Sequence, residues 1–167
     1  MKTIDAIYRR PSGEIAIFIG NRIYMIDYPS LAPIHGYPKS TEDVRIPRNS
    51  NIQAAINTYS GRTYIFYGDV FVVEMDECRF EPKEHKYLST QFPSIPTNLN
   101  SAFRYTNGLI YFFKGENYYE YSEFNNTLLR AGTTSPSLFG IQCSNGSILS
   151  NVVDELKGVV SRLENIV

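Results

Sequence analysis

A single unit recurs three times along this chain with its internal spacing unchanged. The first copy runs from Ile4 through Gly13 and Gly20 to Tyr24, the second from Ile52 through Gly61 and Gly68 to Val72, and the third from Leu99 through Gly108 and Gly115 to Tyr119. Asp5 to Gly13 is 8 residues, as are Gln53 to Gly61 and Asn100 to Gly108. Gly13 to Gly20 is 7, as in the other two copies, and the copies are offset by 48 and then 47 residues. Self-similarity at such a period marks a chain built by stacking one supersecondary unit, because each unit buries its apolar faces only against its neighbours.

Each copy reads as strand, turn, strand, turn, strand. The first strand is short and carries small residues (Ala6, Ala54, Ser101, Ala102), which suits a crowded place where backbones approach closely. Ser12-Gly13, Ser60-Gly61 and Asn107-Gly108 are hairpin signals, since glycine supplies the positive φ of a tight turn. The second strand is apolar almost throughout, as in Ile15-Ala16-Ile17-Phe18-Ile19, and is expected to be buried on both faces. Gly20, Gly68 and Gly115 make the next turn, and an aromatic third strand follows (Tyr24, Phe71, Tyr118-Tyr119). The intervening stretches, Gly36-Tyr37-Pro38-Lys39 to Ile46-Pro47 and Phe92-Pro93-Ser94-Ile95-Pro96, are proline-rich and so predict crossovers with at most a turn of helix. A meander of three to four strands repeated every 40–50 residues or so points to an all-β fold, a β-propeller.

Composition narrows the function. With 16 Lys+Arg against 17 Asp+Glu, the 167-residue chain is nearly neutral. That argues against a general nucleic-acid or acidic-membrane binder, since both need a basic surface. No run of about 18 apolar residues is present to span a membrane, and the polar start Met1-Lys2-Thr3-Ile4-Asp5 has no signal-peptide stretch. The chain therefore reads as cytosolic, or as a fragment whose targeting segment lies elsewhere. Asn125-Asn126-Thr127 and Asn145-Gly146-Ser147 match the N-glycosylation acceptor pattern. His35 and His85 stand apart in linkers, no His-Glu-x-x-His motif or phosphate-binding glycine loop occurs, and no catalytic residue or zinc site is expected.

The Asp5-Ala6 opening, the Gly108-Leu109-Ile110-Tyr111-Phe112-Phe113-Lys114-Gly115 hairpin, Tyr118-Tyr119 and the Gly36-Tyr37-Pro38-Lys39 linker together resemble hemopexin-like repeats. The resemblance is greatest to the C-terminal propellers of matrix metalloproteinases and covers residues 1–143. It implies three blades, about 1–48, 49–95 and 96–143, of a four-bladed type. The linker after the first copy resembles that between the family's second and third blades, and Leu138-Phe139-Gly140-Ile141-Gln142-Cys143 the segment closing the fourth, so blades two to four are expected.

Several further expectations follow from the resemblance. In the family the closing cysteine bonds one in the first blade; here Cys143 would be free, paired with Cys78, or bonded to another chain. Backbone carbonyls of Asp5, Gln53 and Asn100 would face a channel ion, calcium or sodium, and amides of Ala6, Ala54 and Ser101 a chloride. Hard cations take oxygen ligands, and a carbonyl serves whatever the side chain. The implied role is a non-catalytic module for protein recognition, of matrix, substrate or inhibitor, extracellular or secreted, as the ancillary domain of a zinc metalloproteinase. The alternative is a carrier of haem or a polyamine.

Residues 144–167 break the pattern. Ile148, Leu149, Val152, Val153, Leu156, Val159, Val160, Leu163 and Ile166 recur at helical spacing opposite Asp154, Glu155, Lys157, Arg162 and Glu164. An amphipathic C-terminal helix is expected, docked on the propeller, self-associating, or ordered only with a partner. Three blades in four-blade geometry expose apolar wedge faces, at a cost comparable with a domain's net stability, and this helix is one candidate to cover them.

Overall fold

Alternating β-branched and aromatic residues between Gly turns form strands here, and the strands form sheets in sequence order. The computed structural model describes residues 3–135 and Leu138. The chain divides into two compact units, Met1–Thr133 and Thr134–Val167. The first sheet contains β1 (Ala6–Arg9), β2 (Ile15–Ile19), β3 (Arg22–Ile26) and β4 (Lys39–Ser40). The second contains β5 (Ile52–Asn57), β6 (Thr63–Tyr67), β7 (Phe71–Asp76) and β8 (Glu81–Tyr87), and the third β9 (Ser101–Arg104), β10 (Ile110–Lys114), β11 (Asn117–Ser122) and β12 (Thr127–Thr133). Every pairing within a sheet is antiparallel between consecutive strands. The expected helix at 148–166, Cys143 and the Asn145 acceptor lie outside the described residues.

The three recurrent strands are where the sequence puts them, and each sheet adds an outer fourth. In the turn before β3 the chain passes through Gly20 at φ +57°, and at the matching places through Gly68 at +55° and Gly115 at +57°. That is the left-handed region, where a Cβ is unfavourable. The expected double burial of the second strand holds for β6, which is buried throughout, and for the central residues of β2.

Two apolar cores join the sheets. Between the first and second lie Tyr8, Phe18, Ile23, Met25, Ile65 and Val73; between the second and third lie Phe66, Val72, Ile110, Phe112 and Tyr121. The inner strands stand side by side, β5 between β1 and β9. The crossovers do more than connect. After β4 a 3-10 turn, Thr41–Val44, delivers Val44 and Ile46 into the first core, where both are buried. After β8 one α-helical turn, α1 (Leu88–Gln91), delivers Leu88 and Phe92 into the second. Phe92 is the hub of that core, its ring centroid 5.2–5.5 Å from those of Tyr64, Phe66, Phe112 and Tyr121.

Candidate functional site

One of the residues expected at the channel sits at a backbone irregularity. Pairing between β5 and β6 shifts by one between Ile52 and Ala54, so Gln53 is the additional residue of a β-bulge. Asp5 and Asn100 stand at the same place just before β1 and β9; their N–H groups donate to the Phe18 and Phe113 carbonyls at 2.9 and 2.8 Å. A bulge leaves its extra residue outside the ladder, so the sheet does not require the Gln53 carbonyl.

Their side chains serve their own sheets. Asp5 Oδ2 accepts from Gly20 N–H at 2.5 Å, and Asn100 Oδ1 from Gly115 N–H at 2.5 Å, each tying the inner strand to the turn before the third. Gln53, one methylene longer, donates to Asp69 Oδ1 within the corresponding turn (2.9 Å) and to Asn98 Oδ1 in the crossover beyond it (3.2 Å). Of the three residues whose amides would face an anion, Ala6 and Ala54 are buried and Ser101 is exposed. Among the described residues, no group of three or more His, Cys, Asp or Glu side chains is placed to hold a metal ion.

His85 is not in a linker. It lies within β8 opposite Val73, and its Nδ1 is 2.8 Å from the Tyr67 hydroxyl. Its Nε2 is buried without a hydrogen-bond partner among the described residues. Burial, with the Arg45 charge second, holds its pKa below the usual imidazole value. Cys78, in the turn between β7 and β8, is exposed and free; Cys143, its expected alternative partner, lies outside the described residues. Beside it, Glu77 ties the first two sheets together: it accepts from the Tyr8 hydroxyl and from Arg10 Nε, both at 2.8 Å.

Two surface features carry residues that the sequence reading does not single out. The face of the first sheet turned from the second exposes Ile7 and Arg9 on β1, and the Arg9 guanidinium lies 4.7 Å from the Tyr28 ring centroid. Tyr28 and Leu31, in the turn after β3, are 50% and 43% exposed. The other feature is a cleft of about 260 Å3 between the second and third sheets, lined by residues of the β5–β6 turn, α1 and the β11–β12 turn.

Comparison with known proteins agrees with this architecture. The hemopexin family model matches residues 99–143. A plant albumin from Cicer arietinum showing hemagglutination superposes with a TM-score of 0.66 at 25% identity, covering 83% of this chain and 71% of that one. Residues 3–133 have a hemopexin-type fold. Matrix metalloproteinase-18 of Xenopus laevis is 31% identical over 123 residues, and vitronectin of Oryctolagus cuniculus 30% over 128. These alignments take in 71% and 72% of the chain but only 26% of each relative. The hemopexin-type chain thus spans about a quarter of the length of the curated relatives it matches. No described helix is long and apolar enough to cross a membrane.

Proposed function

We propose that this hemopexin-type chain is a non-catalytic recognition module whose partner is a protein: a matrix component, a protease substrate or an inhibitor. The observation that carries this reading is the exposed Ile7–Arg9–Tyr28–Leu31 surface. Tyr and Arg are the residues in which binding hot spots are enriched, because each combines a large contact area with a directional polar end. A stacked Arg–Tyr pair flanked by aliphatic groups on rigid strands gives a partner a pre-organised anchor. The metalloproteinase and vitronectin relatives, with the acceptor sequence at Asn125, support an extracellular setting, and in a longer parent the module would position a zinc protease domain.

The test is surface plasmon resonance of the immobilised chain against fibrillar collagen, fibronectin, laminin and a metalloproteinase inhibitor. Saturable binding to one of them is expected, weakened at least about tenfold by Arg9→Ala or Tyr28→Ala, as for a hot-spot residue. Binding to none, or binding indifferent to both substitutions, would refute the reading.

The backbone carbonyls of Asp5, Gln53 and Asn100 would hold calcium or sodium at the hub, and the Ala6, Ala54 and Ser101 amides a chloride. The chemistry such a cation supplies is cross-linking of three inner strands, not catalysis. A ligand that binds only the folded chain raises its Tm with concentration. Melting in chelator and again in millimolar CaCl2 is expected to show such a rise, and identical curves would dismiss the calcium site. A haem-carrier role finds no support in the histidines: the His85 Nε2 that would ligate the iron is buried inside the sheet packing, and His35 stands exposed apart from it. Titration with haemin is expected to give no axial-ligand shift of the Soret band.

A further inference from the structure

We propose that the cleft between the second and third sheets is a binding site for a neutral saccharide unit. Six of the residues that line it are polar: Ser60, Arg62, Tyr64, Gln91, Glu123 and Asn126. Phe92 forms apolar lining, and Phe124, 66% exposed, forms an aromatic lip. Tyr59, 64% exposed, meets Phe124 edge to face with ring centroids 5.6 Å apart and has the Arg104 guanidinium 6.0 Å above it. At about 260 Å3 the cleft falls just below the range of about 300–1,000 Å3 typical of drug-sized ligands, so its occupant is small.

The polar groups are held in place by bonds within the cleft and keep bonding capacity for a ligand. Ser60 donates its N–H to Glu123 Oε1 and its hydroxyl to Oε2, both at 2.9 Å, which fixes the carboxylate plane and leaves further lone pairs. Gln91 donates through Nε2 to the Tyr64 hydroxyl at 3.1 Å and retains its amide oxygen. Asn126 accepts from the Tyr121 hydroxyl at 2.6 Å and retains its amide nitrogen.

Spare carboxylate lone pairs, a free amide oxygen, a free amide nitrogen and a guanidinium together set acceptors and donors side by side. Vicinal hydroxyls of a pyranose present the same pairing in return. One arginine balances one glutamate, so the lining favours no net charge in its ligand. The negative face of an exposed aromatic ring attracts the polarised C–H groups on a sugar's apolar side. A fatty ligand would leave these polar groups unpaired at a cost, and an anion would meet Glu123.

The experiment uses the full chain made in a bacterium, so that Asn125, in the same turn, carries no glycan. Saturation-transfer NMR with methyl β-galactoside, methyl α-mannoside and N-acetylglucosamine is expected to show transfer to at least one. Phe124→Ala and Arg62→Gln should each weaken it about tenfold, the scale of one aromatic or charged contact. Arg48→Gln, in the crossover between the first and second sheets, should leave it unchanged. In the unsubstituted protein the perturbed amides should include Ser60, Arg62 and Glu123, a reading that needs no variant to fold. A free sugar and the end of a surface glycan offer the same hydroxyls. A printed glycan array separates them, and binding in either format supports the site. Transfer to none of the sugars together with an empty array, transfer indifferent to both substitutions, or shifts only at remote amides would overturn the proposal. So would preference for glycine, a zwitterion that Arg62 and Glu123 could hold instead.

Discussion

At the scale of single residues, two kinds of buried titratable group set opposite pH limits on the fold. His85 has a folded pKa below its unfolded value, so the unfolded chain binds the proton more readily. Stability is complete above the unfolded pKa of about 6.5 and falls as pH drops from there through the folded pKa. Urea unfolding between pH 7.5 and 5 should show that loss, and His85→Gln should flatten it; an equally steep slope in the variant would assign it to other groups. Tyr121 is pushed up to about 12 by burial, and Tyr8 is raised by burial first and the Glu77 charge second. Both favour the neutral hydroxyl, so their contribution is intact below the unfolded value of about 10 and is lost as pH climbs through the folded values. Phenolate absorbance should therefore rise for these two only with alkaline unfolding. Glu77, bonded to both Tyr8 and Arg10, is the residue whose loss removes two bonds at once: Glu77→Ala should cost about 1.5–3 kcal/mol in chemical denaturation, since a largely buried Arg10 would keep only its longer 3.6 Å ion pair with Glu14.

At the scale of elements, the crossovers matter as much as the strands. Phe92→Ala should destabilise the chain by about 3–5 kcal/mol, the cost of emptying a site that four aromatic rings surround. A thermal or urea transition within about 1 kcal/mol of the parent would deny Phe92 that central place. Gly132 pairs with Tyr118, and a Cβ built on it would sit 3.0 Å from that ring. Gly132→Val should accordingly cost about 1–3 kcal/mol through overpacking.

These elements also show what could be read beforehand. The three inner strands of each sheet were legible because their apolar runs and glycine turns depend on local backbone chemistry, repeated three times. The outer strands were not. β8 is Glu81-Pro82-Lys83-Glu84-His85-Lys86-Tyr87, and a polar edge strand bearing proline looks like a loop; hence His85 was assigned to a linker. Phe92 was hidden for the opposite reason, as an apolar residue inside a proline-rich stretch. The bulge at Gln53 left only a trace, the unbroken buried run Ile52-Gln53-Ala54-Ala55-Ile56 in place of alternation. The cleft joins residues more than sixty positions apart, Ser60 and Glu123, and no spacing rule anticipates that.

At the scale of the whole molecule, the three sheets are linked by more than apolar contact. Asn57 donates to the Arg9 carbonyl across the first seam, Glu77 reaches Tyr8 and Arg10 there, and Ser60 reaches Glu123 across the second. Because Val44 and Ile46 fill one seam and Leu88 and Phe92 the other, the connecting peptides double as wedges. Severing the backbone beside such a wedge would therefore do more than lengthen a loop: it would loosen the mortar between neighbouring sheets. A protease should find these links resistant in the native state, and a first nick at either should commit the whole assembly to digestion instead of releasing intact pieces one by one.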